Sequence, residues 1–199
     1  MSDRETLAVY DAQAADYAAL TESEARDKQL TAFIADMPPG GHVLDLGCGP
    51  GQSAAEMARP GLRVTATDAS AEMVALASAR PGVTAHQATF DAIDGIALYD
   101  GVWANFSLLH APRDAMPRHL AAIARALKPG GRFHIGVKTG TGAQRDALGR
   151  LYTYYQEDAL SALLLDAGLT VFHANRGTSK GLDGVMAGWV TLAARRDTA

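Results

Sequence analysis

The sequence predicts an α/β fold: a mostly parallel sheet with helices on both faces, two helices before it and one antiparallel strand at its end. Three observations predict this. Apolar residues before Pro38 recur at helical spacing, and from His42 to Val137 short apolar runs alternate with helix-period runs. The last two strand-like runs have no helix-forming segment between them.

Leu7, Tyr10, Ala14 and Tyr17 step by three and four residues and predict the first helix. Leu30, Phe33, Ile34 and Met37 predict the second, stopped by Pro38-Pro39-Gly40. Strands are expected at His42 to Leu46, Leu62 to Thr67, Val83 to Gln87, Tyr99 to Asn105 and Arg132 to Val137. Between them, helices are expected over Gln52 to Arg59, from an N-cap at Ser70 to Pro81-Gly82, and from Met116 to Leu127. Leu160, Leu163, Leu164 and Ala167 mark a final helix, with Gly168 at its C′ position. Leu169 to Asn175 and Val185 to Ala194 then read as a hairpin around a long loop, Arg176 to Gly184.

A chain of 199 residues with 48% apolar content suits one domain, 1–199, with a sizeable core. Within it, 1–38 reads as a helical cap. Lys and Arg total 18 against 22 Asp and Glu, a net charge of −4, which disfavours a nucleic-acid partner. With Cys48 the only cysteine, no disulfide or multi-cysteine metal site can form within the chain. No signal peptide or membrane span is expected, so the working expectation is a soluble, cytoplasmic protein. No His or acidic pair has metal-ligand spacing, so no metal is expected.

The informative segment is Val43-Leu44-Asp45-Leu46-Gly47-Cys48-Gly49-Pro50-Gly51. A buried strand runs into a loop with glycine at alternate positions, which lets the chain turn tightly and a ligand approach the backbone. Asp45 can accept bonds from loop amides or from a ligand ammonium. Asp68 falls at the tip of the second strand, about 20 positions beyond Gly47, where an acid in a doubly wound sheet binds ribose hydroxyls. Its alternative, capping the next helix, is better filled by Ser70. Cys48 reads as a small packing residue.

Asp45-x-Gly47-x-Gly49-x-Gly51 resembles the nucleotide-loop signature of the class I S-adenosylmethionine-dependent methyltransferases, and Leu127-Lys128-Pro129-Gly130-Gly131-Arg132 resembles that family's turn into the fifth strand. The resemblance implies a Rossmann-like seven-stranded sheet with an antiparallel last strand and S-adenosylmethionine as cofactor. It implies that Asp68 binds the ribose, with Ala69 and Met73 beside it. Gly47, Gly49 and Gly51 would let the methionyl and ribose parts sit close. The turn after the third strand would hold adenine through Thr89 or Asp91, next to Phe90. Asn105 and Phe106 would form the edge between cofactor and acceptor. The segment Asn105-Phe106-Ser107-Leu108 lacks the Pro-Pro-aromatic sequence of nucleic-acid amino methyltransferases, which points to a small-molecule acceptor. Tyr17 matches an aromatic that closes over the cofactor in relatives. Its spacing with Tyr10 fits core-facing residues equally well.

His110 has two readings: a general base near the transferred methyl, or a packing residue at the entrance to the next helix. His119 is expected at the surface. The segment 138–156 leaves the fifth strand at the edge that faces the ligand crevice. Lys138, Arg145, Arg150 and Tyr154 there suggest a pocket for a polar or anionic acceptor; the other reading is a solvated loop in which Arg145 pairs with Asp146. Methyl transfer from a sulfonium is an in-line displacement, so the fold mainly has to align the groups and exclude water. Two rivals remain: a silent cofactor-binding regulatory protein, and a nicotinamide-dependent oxidoreductase. The latter is disfavoured because the third glycine follows after one residue rather than two, and no Tyr-x-x-x-Lys pair is present.

Overall fold

The computed structural model describes residues 3–22 and 27–198. Three helices precede the first strand: α1 (Arg4–Ala12), α2 (Ala14–Glu22) and α3 (Lys28–Ala35). The run expected as one helix breaks at Gln13, though no glycine or proline is near. Tertiary contacts override propensity here. α1 is drawn along the domain by Asp11, whose carboxylate accepts from Ser70 Oγ at 2.5 Å, while Tyr17 on α2 reaches the glycine loop.

The strands are β1 (His42–Leu46), β2 (Arg63–Asp68), β3 (Val83–Gln87), β4 (Tyr99–Asn105), β5 (Leu127–Lys138), β6 (Ala143–Arg145), β7 (Leu151–Thr153), β8 (Leu169–Lys180) and β9 (Met186–Arg196). Their helices are α4 (Gln52–Ala58), α5 (Ala71–Ser78), α6 (Met116–Ala126) and α7 (Glu157–Asp166). Seven strands form one sheet in the order β3-β2-β1-β4-β5-β9-β8; β9 runs antiparallel to both its neighbours. The strand order reverses between β1 and β4, which opens a crevice at their C-terminal ends.

Side chains alternate across the sheet as strand geometry requires. Val43 joins a core with Leu30, Phe33 and Trp103, while Leu44 and Leu46 join the larger core under α6 and α7. Ser70 caps α5 by accepting from Met73 N–H at 3.1 Å, and Gly168 ends α7 at φ +79°. His119 is buried at 3% exposure, edge-on to Phe90, so the expectation of a surface residue was wrong. Its helix face turns inward with Met116, Leu120 and Ile123.

Two further differences matter for the site. Most of the expected loop 176–184 is strand, because Gly177 has no side chain and Trp189 opposite lays its indole there. The segment after β5 forms a small antiparallel hairpin, β6–β7, which no apolar alternation announced.

Candidate functional site

The crevice is built around the glycine loop. Gly47 and Cys48 N–H both donate to Thr67 O, at 2.7 and 2.9 Å, tying the loop to β2. Gly47 has φ +73°, and a Cβ there would collide with Ser107 of the loop after β4. Ser107 Oγ in turn donates to Leu46 O at 2.5 Å, closing the β1–β4 gap. Gly51, φ +81°, packs so closely that a Cβ would meet Ala77 Cβ at 2.8 Å. These positions exclude larger residues on steric grounds.

Two carboxylates flank the loop. Asp68 accepts Gly49 N–H through Oδ2 and Ser70 N–H through Oδ1, both at 2.9 Å. Each oxygen keeps a second lone pair, and burial pushes the carboxyl's pKa up. Asp45 is 2% exposed, and its Oδ2 has no hydrogen-bond partner among the described residues. Burial, and secondarily the nearby Asp68 charge, raise its pKa to about 7. A buried, unpaired carboxylate oxygen is costly unless a cation or donor meets it.

Around this centre lie most of the expected cofactor residues. Tyr17 covers Gly49, with its ring 3.6 Å from where a Cβ would stand. Phe90 approaches Gly47 in the same way, also at 3.6 Å, and Thr89 opens the short turn that carries it. Asp91 in the same turn pairs with Arg118 at 2.7 Å. Ala69 lends its carbonyl to Gln87 Nε2 at 3.0 Å. Met73 is 2% exposed and lies in the packed interior beneath α5. Asn105 Oδ1 accepts from His134 Nε2 at 3.0 Å, and Phe106 adopts φ +54°, an uncommon conformation for a bulky residue.

His110 does not stand open to the crevice. Its Nδ1 lies 2.7 Å from Leu151 O, so this nitrogen carries the proton; Nε2, 2.9 Å away, then accepts from Tyr10 OH. Burial lowers its pKa to about 4 and keeps the ring neutral. Arg150 is 2% exposed, bonded to Asp146 through Nε at 2.8 Å and Nη2 at 2.5 Å, with Tyr10 and Tyr152 rings against it. It is a buried structural cation. Arg145 does not pair with Asp146: it reaches Asp3 at 2.8 and 2.9 Å and Glu5 at 3.2 Å, tying the hairpin to α1. Lys138 is different. Its ammonium sits 3.8 Å above the Tyr152 ring and makes no hydrogen bond or ion pair among the described residues. Tyr154 OH accepts from Gln144 at 3.3 Å, across a groove of about 490 Å³ that Lys138 also lines.

Sequence reasoning missed Asp11, Thr6 and Trp189. Thr6 Oγ1 accepts Leu151 N–H at 2.8 Å. These contacts join segments far apart in the chain, and no local pattern announces them.

The site and sheet order match known proteins. The methyltransferase domain family matches residues 43–131. Methyltransferase GfsG of Streptomyces halstedii is 36% identical over 110 residues, which is 50% of this chain and 38% of that protein. Trans-aconitate 2-methyltransferase of Deinococcus radiodurans is 36% identical over 114 residues, 55% of this chain and 42% of that protein. The chain spans about half or less of the length of the curated relatives it matches. A solved structure of the Burkholderia thailandensis 1,6-didemethyltoxoflavin-N1-methyltransferase, with 1,6-didemethyltoxoflavin and S-adenosylhomocysteine bound, superposes with a TM-score of 0.78 at 28% identity. That match covers 97% of this chain and 88% of the other. By this domain match and this superposition the chain is similar to the class I S-adenosylmethionine-dependent methyltransferases.

Proposed function

We propose that this chain transfers the methyl group of S-adenosylmethionine to a polar or anionic small-molecule acceptor by in-line displacement. The observation that carries this reading is the buried, unpaired Asp45 Oδ2 beside a glycine loop whose close packing excludes side chains. An α-ammonium is the partner such an oxygen lacks. When bound, the cofactor supplies a methyl group on a cationic sulfur that leaves as a neutral thioether.

The residues divide the work. Asp45 holds the ammonium, Asp68 takes the ribose hydroxyls on its remaining lone pairs, and Gly47, Gly49 and Gly51 give backbone room. Ala69, Met73, Thr89 and Phe90 form the adenosine side, Tyr17 shields the loop from water, and Asn105 and Phe106 border the acceptor. His110 serves by fixing Tyr10. A group with pKa about 4 whose lone pair already accepts a phenol proton is a weak base at neutral pH. Lys138 and Tyr154 face the acceptor, while Arg145 and Arg150 hold the segment 138–156 in place. The helices of 1–38 act as a cap within one domain.

The Burkholderia thailandensis structure supports this reading, since it holds a small acceptor and S-adenosylhomocysteine on the same fold. The acidic net charge supports an acceptor other than nucleic acid. No described helix is long and apolar enough to cross a membrane. The test is turnover: cofactor carrying a labelled methyl group is incubated with panels of small acids, phenols and amines. Label in an acceptor product supports the proposal. Cofactor binding without transfer to any acceptor favours a silent regulatory protein.

A further inference from the structure

Aromatic rings form a continuous wall from the glycine loop to Lys138. Tyr17 lies on Gly49, Tyr10 stands 5.8 Å from Tyr17, His110 5.4 Å from Tyr10, and Tyr152 4.8 Å from His110, centre to centre. Lys138 caps the last ring at 3.8 Å. Beyond it the groove of about 490 Å³ opens between the β6–β7 hairpin and the β8–β9 tip, with Tyr154 on one side and the exposed Met186 on the other.

The charges along this wall are unevenly paired. Asp146 is consumed by Arg150, and Asp3 and Glu5 by Arg145. Asp183 shares the groove, accepts Val185 N–H at 3.2 Å and is the foremost opposing charge acting on Lys138, though it makes no ion pair with it. Lys138 remains as a cation resting on a π-face, without a carboxylate bonded to it among the described residues. A cation partly withdrawn from water, with no carboxylate bonded to it, keeps its N–H donors for an anionic ligand. Tyr154, whose ring lines the groove, favours a flat partner, by offset stacking.

We propose that the methyl acceptor is a planar aromatic or heteroaromatic acid, with its ring in this groove and its deprotonated oxygen or nitrogen beside Lys138. The proposal rests on the methyl-transfer reading above. The acceptor's acidic O–H or N–H gives its proton to solvent. Its lone pair then forms the new bond to the methyl carbon as the carbon–sulfur bond breaks, with that electron pair going to sulfur. The methylated acceptor leaves without its negative charge, and Lys138 releases it. No protein base is required, in keeping with the covered Nε2 of His110.

The test is calorimetric binding at pH 8 of 4-nitrophenolate, the neutral 4-nitroanisole and the non-aromatic anion cyclohexanecarboxylate, with S-adenosylhomocysteine titrated separately. The expected result is that 4-nitrophenolate binds at least about tenfold tighter than either control, about 1.4 kcal/mol. Lys138→Met should remove the preference over 4-nitroanisole, and Lys138→Arg should keep it, with thermal unfolding confirming that both variants fold. Equal binding of the three probes, no binding of any, or an unchanged preference in Lys138→Met would overturn the proposal. S-adenosylhomocysteine affinity separates the two levels. If it is intact, such a failure sinks the acceptor class alone; if it is absent, the cofactor reading fails.

Discussion

The phenol oxygen of Tyr10 and Nε2 of His110 lie 2.9 Å apart, 100 positions apart in sequence, and pin α1 to the loop that follows β4. The pair sits midway along the aromatic wall between the glycine loop and Lys138. Tyr10→Phe removes one hydrogen bond and leaves the ring in place, so it should cost about 1 kcal/mol of stability. Catalytic efficiency should fall up to about tenfold through looser positioning, with S-adenosylhomocysteine affinity unchanged. Thermal unfolding, steady-state kinetics and calorimetry read the three quantities.

If Asp45 holds the cofactor ammonium as proposed, cofactor binding should depend on pH. Its pKa in the free protein is raised to about 7, so the carboxyl is largely protonated below that pH. An ammonium placed beside it lowers that pKa, so binding should release up to about one proton, and affinity should rise as pH climbs toward 7. Calorimetry in buffers of different ionisation enthalpy measures the proton count. Asp45→Asn should abolish the release and weaken binding.

His134 shapes the acid side of stability. Burial holds its pKa at about 3, below the ordinary 6.5, so the unfolded chain takes its proton first. Stability from the neutral ring is fully present above pH 6.5 and lost as pH falls toward 3. His134→Gln should make the decline on acidification shallower by about 1.4 kcal/mol per pH unit in that window. Urea unfolding at several pH values checks the slope.

Gly47→Ala places a Cβ against Ser107 at a left-handed backbone position. The substitution should cost about 2 kcal/mol or more and weaken S-adenosylhomocysteine binding with it. Stability without binding loss would show that the loop tolerates the shift.

Arg150 and Asp146 are 2% and 4% exposed at their side chains. Arg150→Met strands a buried carboxylate and should destabilise by about 3 kcal/mol or more. Adding Asp146→Leu should recover part of that loss, measured as a double-mutant cycle.

Much of the frame was legible because it is local. The alternating glycines, Asp68 at a strand tip, Ser70 as a cap and Gly168 after α7 all announce themselves within a few residues. The antiparallel β9 followed from a missing helix. What could not be read depends on distant partners. The break at Gln13, the engagement of Arg145 by Asp3, and the burial of His119 and Arg150 are settled by contacts between segments scores of residues apart. The β6–β7 hairpin was hidden for a related reason, since its exposed first strand shows no apolar alternation.

The central claim is that Asp45, the glycine loop and Asp68 hold S-adenosylmethionine. The most direct measurement is calorimetric binding of S-adenosylhomocysteine to the wild-type protein and to Asp68→Ala, with thermal unfolding to confirm that both are folded. The account expects saturable wild-type binding that Asp68→Ala weakens at least about tenfold, about 1.4 kcal/mol. Absence of binding to the folded wild type, or equal binding by folded Asp68→Ala, would contradict it.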